Sequence, residues 1–580
     1  MTFRARPIVR RLQRPSWDTR DRRNFYLNLA FGLAVLAALV ILGIAVALSY
    51  YNDHLASVGS VNGQSITKDE LRDRATIEDW RLEVEKRRIN TQAAGGQLSA
   101  AQAEAKLQLI EQERQGVLST ALEKIIDNRV QAGLATEEGV TVTEADIDDK
   151  LRKEATTPET RHAWQIEVEP AGDSGTAGPT AEQKAAARSK IEAALADIKG
   201  GKAWEDVART VSTDAATAPQ AGDLGWLTKT DSQIEEAFLG ALFAVPANTP
   251  TDIVEGDDGI FRIGRVTEIA PETVDGVYQE TLVNDGIDLA KYRAVVRGDV
   301  IRTKLEDKLV ADASKPQPQR DTAEIYLSQG TVELPDDAVK VRHILFSPKD
   351  DPEAASNGDI PDDDPSWGQA KLDADAAYAR LKADISQFDT VAREDSDEAS
   401  ALGPDGSGGV LEQYVSADSS YVESFSKPIL DAKPTDGELL APIKTEFGYH
   451  VVQVMSHAPD LAAIKTQIDA GSEDFADVAR DISEAPEGSR GGDLGWIAKG
   501  QLEKEKSDAI FAAAVGKTSA IVTIKDDGQY LYLVKSEEER APEGRQLDEI
   551  RSRLFSDWYQ PKKDALTITR DEQIASGLGG

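Results

Sequence analysis

Five histidines, His54, His162, His343, His450 and His457, are the only imidazoles in 580 residues, and cysteine is absent. Without thiols there is no Cys nucleophile, no thiolate metal site and no disulfide. The histidines show no H-E-x-x-H spacing, which argues against a zinc hydrolase, and no metal or cofactor is expected. Carboxylates are plentiful: 102 Asp plus Glu face 66 Lys plus Arg, a formal charge of −36. That field repels phosphate backbones, so nucleic acid is not an expected partner. An acidic stretch runs from Lys349-Asp-Asp-Pro-Glu through Asp362-Asp-Asp-Pro365. There Asp359, Asp362, Asp363 and Asp364 could offer oxygens to calcium, but EF-hand spacing and its glycine are missing. A solvated charged loop is the simpler reading.

These side chains need a scaffold, and the composition supplies one: 40% apolar and 29% charged residues describe packed domains. At roughly 150 residues per domain, the length suggests about four. Tyr26 to Leu48 is a continuous apolar run in which Asn28 is the only strongly polar side chain, long enough to cross a bilayer as a helix. Arg4, Arg6, Arg10, Arg11, Arg14, Arg20, Arg22 and Arg23 precede it, so the positive-inside bias places the N-terminus in the cytoplasm and the acidic body outside. Ala45-Val46-Ala47 would fit a signal-peptidase site, yet the run exceeds the roughly 7–15 apolar residues of a signal peptide, which favours a retained anchor.

Val58 to Ile66 reads as two short strands around the Asn62-Gly63 turn. Thr67-Lys-Asp-Glu70 has capping-box spacing and opens a helical module, interrupted at Gly95 and Gly96; Thr143-Glu-Ala-Asp146 opens another helix. Downstream lies an internal repeat. The pattern [WF]-x-x-V-A-R-x-x-S occurs at Trp204 to Ser212, Phe388 to Ser396 and Phe475 to Ser483, each time after an amphipathic helix. Gly222-Asp-Leu-Gly-Trp226 and Gly492-Asp-Leu-Gly-Trp496 follow two copies, and Gly408-Gly-Val-Leu-Glu412 follows the middle one. Each copy ends in an apolar β-like run, at Ile260 to Val266, His450 to Met455 and Tyr530 to Val534, so each unit mixes helices with a small sheet. Residues 285–312 and 547–566 read as further helices that could pack on the N-terminal module.

These residues resemble the parvulin family of peptidyl-prolyl isomerases, in the setting of membrane-anchored or secreted foldases of the SurA, PpiD and PrsA type. The middle unit carries the pattern most fully: Val341-Arg-His-Ile-Leu345, the V-A-R-x-x-S helix, and Lys444-Thr-Glu-Phe-Gly-Tyr-His450. Val61 to Thr67 likewise resembles the opening of the family's chaperone module. The resemblance implies that His343 and His450 sit side by side, hydrogen-bonded to a polar residue after the serine, here Glu398 with Asp397 adjacent, and that Thr445 joins them. It implies a proline pocket of Tyr421, Phe425 and Leu430. In the first unit it assigns His162, Asp214 and a pocket of Ile234, Phe238 and Phe243, with Phe261 in place of the second histidine and Gly256 in place of the threonine. In the third unit no first strand is recognisable, and Ala485, Lys506 and Tyr530 replace the acid, the pocket aromatic and the second histidine.

The expected architecture is α+β: a basic tail (1–25), a transmembrane helix (26–48), a helical chaperone module (55–158), unit one (159–272, degenerate), a helical connector (273–334), unit two (335–458, active), unit three (459–540, degenerate and incomplete) and a C-terminal helix and tail (541–580). The resemblance implies an extracytoplasmic, single-pass foldase that isomerises X-Pro bonds in unfolded or nascent secreted polypeptides and also acts as a chaperone. The alternative is a holdase that grips the same polypeptides without catalysis.

Overall fold

The computed structural model describes residues 16–170, 181–256, 259–402 and 407–571. Its first element is the helix Ser16–Tyr50, and the stretch Arg22–Leu55 is long and apolar enough to cross a membrane. The basic residues ahead of it at 4–14 lie outside the described residues.

The N-terminal module is built from three distant pieces of sequence. Ser57–Val61 and Gln64–Thr67 form a hairpin whose turn, Asn62-Gly63, has φ of +49° and +77°. Its other edge is paired by Ile568–Arg570 from the far end of the chain. Helices Lys68–Ala94, Ala100–Gln115, Val117–Glu137 and Glu144–Glu154 follow. Thr67 caps the first, accepting from Glu70 N, and Thr143 with Asp146 forms a complete capping box on the last. As expected, two later helices pack here. Leu305 of Leu289–Val310 and Phe555 and Tyr559 of Gly544–Asp564 join Leu71, Leu122 and Ile126 in one core. A half-buried network ties the pieces: Arg81 reaches Glu154 at 3.0 Å and Asp299 at 2.8 Å. Burial alone would lower the Arg81 pKa, but Asp299 and Glu154 outweigh it and hold the guanidinium charged.

Each repeat unit is a small antiparallel sheet backed by helices. Unit one orders its strands Asp223–Thr228, Thr160–Val168, Phe261–Ala270, Val254–Glu255. Unit two orders Val339–Phe346, Tyr449–His457, Leu439–Lys444, and Val410 and Val415 add isolated bridges on the outer side of Val339–Phe346.

Unit three corrects the connector. Residues 273–334 are not helical throughout: Gln317–Ser328 is a strand, and it lies inside the third sheet between Asp493–Ala498 and Gly528–Arg540. The segment 459–540 is incomplete by itself, and its missing strand comes from ahead of unit two. Unit two is therefore inserted into unit three. Apolar alternation at Ala323, Ile325 and Leu327 marks the strand's core face, which packs on Phe475, Ala479 and Leu531. The helical part of this stretch is Leu289–Val310, and the strand begins within Lys315-Pro-Gln-Pro318, where the prolines mask its alternation.

Because Ile325 is fully buried in that core, Ile325→Ala should destabilise unit three by about 3 kcal/mol. Hydrogen exchange should then show faster exchange in 475–482 and 528–534, while 339–346 keeps its protection despite lying closer in sequence.

Candidate active site

The three units share one backbone clasp. The serine ending the V-A-R motif accepts the N–H of a central-strand residue: Ser212 from Glu167 at 3.2 Å, Ser396 from Leu345 at 3.2 Å, Ser483 from Tyr326 at 3.1 Å. The next residue, Thr213, Asp397 or Glu484, donates its N–H back to that strand residue's carbonyl at 2.8 Å in every copy. Two positions earlier on the strand, Gln165, His343 and Glu324 donate their N–H groups to the carbonyls of Gly222, Gly409 and Gly492 at 2.7, 2.8 and 2.8 Å. A Cβ on these glycines would fall 1.8, 2.1 and 2.1 Å from the facing carbonyl oxygen, and their φ values are +85°, +83° and +77°. Only glycine fits there. The clasp thus aligns Gln165, His343 and Glu324 at one position, and Asp214, Glu398 and Ala485 at a second.

In unit two these positions open a continuous hydrogen-bond chain. His343 Nε2 lies 2.6 Å from Glu398 Oε2, His343 Nδ1 lies 2.9 Å from His450 Nδ1, and His450 Nε2 lies 2.8 Å from Thr445 Oγ1. Thr445 Oγ1 also accepts the Phe447 N–H at 3.1 Å. With one proton on each ring and Glu398 as a carboxylate, the chain has a single direction: Thr445 O–H donates to His450 Nε2, His450 Nδ1–H to His343 Nδ1, and His343 Nε2–H to Glu398. Burial, with the neighbouring His343 adding to it, pushes the His450 pKa well below its ordinary value. The bond from His343 pulls the Glu398 carboxyl below its usual range. Both rings are buried, but a third of the Glu398 side chain faces solvent.

An apolar surface lies beside the chain. The Phe425 ring is 5.6 Å from His343 and 4.9 Å from His450, and Tyr421 is 5.8 Å from Phe425. The Tyr421 hydroxyl donates to the Gln413 carbonyl at 3.3 Å. Leu430 packs in the same cluster. So does Leu411, which sequence reasoning passed over although Leu224 and Leu494 stand at the same place in the other copies. Asp397, expected in the site, is not there. Its carboxylate accepts the Ser347 N–H at 2.5 Å and lines a separate cleft of about 420 Å³ with Asp350, Asp373 and Arg380. In the acidic loop, Asp364 caps the helix Pro365–Ala383 through Ser366 N and pairs with Lys349 at 2.8 Å.

Unit one is more altered than expected. His162 is not the counterpart of His343; it lies three residues upstream of the clasped position, its Nε2 2.8 Å from Asp223 Oδ1 and its ring stacked on Trp226. The shared Arg-His dipeptide suggested the match, but Gln165 holds the position, its Nε2 donating to Asp214 Oδ2 at 2.8 Å. Phe261 is likewise one residue off. Val254 faces Arg262 where Ile443 faces His450, because the hairpin starting at Gly256 is one residue longer, so Arg262 replaces the second histidine. The buried Arg262 pairs with Glu167 at 2.9 Å. Ile234, Phe238 and Phe243 do pack together, with Arg161 5.1 Å from the centre of the Phe243 ring. In unit three Tyr530 stands in the His450 place, stacked 4.7 Å from Tyr326, and Lys506 lies 3.7 Å over its ring.

Residues 150–269, 343–456 and 458–555, together more than half of the chain, match profiles described as a PPIC-type PPIASE domain. The chain is 24% identical over 351 residues to the chaperone SurA of Nitrosospira multiformis, covering 53% of this chain and 74% of that protein. It is 37% identical over 101 residues to the foldase protein PrsA of a Geobacillus species, covering 17% of this chain and 36% of that protein. Among solved structures, a SurA-like chaperone of Campylobacter jejuni aligns with 44% of this chain and 98% of its own, at 20% identity and a TM-score of 0.19.

A base whose folded pKa is depressed stabilises the fold above its unfolded pKa and loses that contribution as pH falls toward the folded value. For His450 the loss begins below about pH 6.5. Unit two should therefore show a falling urea midpoint between pH 7.5 and 5.5, and His450→Phe should flatten that slope.

Proposed function

We propose, for a chain that belongs to the PPIC-type PPIase (parvulin) family, that unit two is a peptidyl-prolyl cis-trans isomerase acting on unfolded polypeptides. The observation that carries this reading is the chain from Thr445 through His450 and His343 to the partly exposed Glu398, laid beside the apolar surface of Phe425, Tyr421, Leu411 and Leu430.

The task needs no bond to form or break. Amide resonance sets a barrier of about 18–20 kcal/mol to rotation, while the X-Pro isomers differ by only about 0.5–1 kcal/mol. Resonance moves negative charge onto the carbonyl oxygen and positive charge onto nitrogen. The twisted transition state lacks that separation. A carboxylate held near the carbonyl disfavours the planar, charge-separated form and so favours the twisted one, while the apolar surface holds the proline ring away from water. Glu398 is the catalytic residue in this account. His343, His450 and Thr445 are positioning residues that aim its carboxylate and keep it ionised.

A second reading, a holdase, is supported by units one and three, where Gln165 with Arg262 and Glu324 with Tyr530 stand in place of the histidines. In our proposal these units bind polypeptide without turning it over. The apolar helix Arg22–Leu55 supports an anchor holding the acidic body outside the cytoplasmic membrane, where secreted clients emerge.

The full chain in detergent should accelerate exchange of Ala-Ala-Pro-Phe, followed by NMR. Glu398→Gln should lower kcat/KM about tenfold or more, and Tyr421→Ala should act mainly on KM. Exchange no faster than that of free peptide, with aggregation suppression retained, would leave the holdase. Because the chain has no cysteine, Ser386→Cys tests the topology: an impermeant maleimide should label it in spheroplasts without lysis.

A further inference from the structure

The mouth of the unit two hollow carries a charge that the isomerisation itself does not require. Glu446 sits between Thr445, which bonds His450, and Phe447, whose N–H bonds Thr445 Oγ1, so its backbone is fixed at the edge of the site. Its carboxylate accepts the hydroxyl of Ser424, the residue before Phe425 in the helix Glu423–Asp431. Glu446 thus bridges the hairpin and the helix that together wall the hollow. At the other end of the hydrogen-bond chain, Glu398 takes its bonds from His343 and, at 3.0 Å, from Ser400 Oγ. Among the described residues neither carboxylate has a Lys or Arg ion-pair partner. On a third side Glu412 follows the wall residue Leu411, but there Lys340 compensates: its ammonium donates to the Glu412 carbonyl and lies 5.2 Å over Tyr414. Lys427, one turn along the helix from Glu423, is taken up by Asp431 at 2.7 Å. Glu398 and Glu446 are therefore two carboxylates at the mouth that no Lys or Arg among the described residues pairs. Burial raises the pKa of the Tyr421 hydroxyl first, the bond to the Gln413 carbonyl opposes it, and the charges of Glu398 and Glu412 add to the rise.

We propose that unit two selects X-Pro segments in which a Lys or Arg stands beside the proline, with Glu446 and Glu398 setting that preference. The inference rests on the isomerase reading and names the substrate class for it. A side-chain cation next to a seated proline meets two carboxylates in a partly desolvated mouth, whereas an acidic or phosphorylated neighbour is repelled by both.

The test uses the full chain in detergent with three peptides, Ala-Arg-Pro-Phe, Ala-Ala-Pro-Phe and Ala-Glu-Pro-Phe, followed by NMR exchange. At low salt kcat/KM for the Arg peptide should exceed that for the Glu peptide by about five- to tenfold, falling toward twofold at about 0.5 M NaCl as the Debye length shrinks. Glu446→Gln keeps an oxygen for Ser424 and should cut the Arg-to-Glu ratio about threefold. The salt series on the unaltered chain stands even if that variant folds poorly. Turnover of all three peptides with equal efficiency, or a ratio indifferent to salt, overturns the preference and leaves the isomerase reading intact. No turnover of any peptide overturns both.

Discussion

The clasp on the central strand is the constraint from which the rest of each unit follows. A strand residue gives its N–H to a glycine carbonyl, and the residue two further on gives its N–H to a serine hydroxyl. These bonds satisfy strand groups that would otherwise be buried without partners, since no regular neighbouring strand covers them. They explain the two recurring signatures. The serine must follow the V-A-R helix by a fixed count to reach the strand, and the glycine must lack a Cβ because a carbonyl occupies that space. With the backbone pinned at both points, the side chain on the first of them has one direction available, and its chemistry can change without changing the fold. Gln165, His343 and Glu324 are three such side chains on one mount.

The larger architecture depends on pairings between residues far apart in sequence. Gln317–Ser328 completes a sheet whose other strands come after residue 490, and Ile568–Arg570 closes the hairpin at Ser57–Val61. The helix Gly544–Asp564 links these assemblies: Phe555 and Tyr559 enter the N-terminal core, Gln546 Nε2 donates to the Trp496 carbonyl at 2.7 Å, and the Arg545 guanidinium holds the Asp231 carbonyl at 2.8 Å. Unit one, unit three and the N-terminal module thus share one spine, and unit two is tethered at both ends to unit three. Such non-local closure delays the cooperative frame until the C-terminus is available. Unit two, whose strands all lie between 339 and 457, needs none of it.

What could be read in the sequence divides along the same line. The hairpin at Asn62-Gly63, the capped helices and the three repeats were legible because each rests on local spacing; His343, His450, Glu398, Thr445, Tyr421 and Phe425 came instead through the family resemblance, and the structure brings them together. The strand at 317–328 was not, since its partners lie beyond an inserted domain and its own pattern follows a proline-containing connector. In unit one the errors were errors of count. The Arg-His dipeptide at 161–162 imitates 342–343 but lies three residues away in register, and one extra residue in a hairpin exchanged Phe261 for Arg262. A shared dipeptide says less about spatial position than the serine and glycine that fasten the strand. Asp397 failed for a related reason: adjacency in sequence does not place it in the site, since its carboxylate turns to the Ser347 N–H while Glu398 meets His343.

The same comparison bears on whether the two imidazoles are there for the fold or for the site. A buried histidine pair could serve only to satisfy itself within a sheet. Units one and three show that the sheet does not require it. Unit one fills the two positions with Gln165, bonded to Asp214, and Arg262, paired with Glu167, and unit three fills them with Glu324 and with Tyr530 under Lys506. All three sheets keep the same clasp. Two histidines in unit two, one of them held neutral by burial, are a costly choice for packing alone. What they add, and what among the described residues neither other unit shows, is a directed series of hydrogen bonds that begins at a backbone N–H and ends on a carboxylate reaching solvent beside an aromatic hollow. That is an arrangement for aiming a charge, and it lies beside the apolar surface of Phe425 and Tyr421.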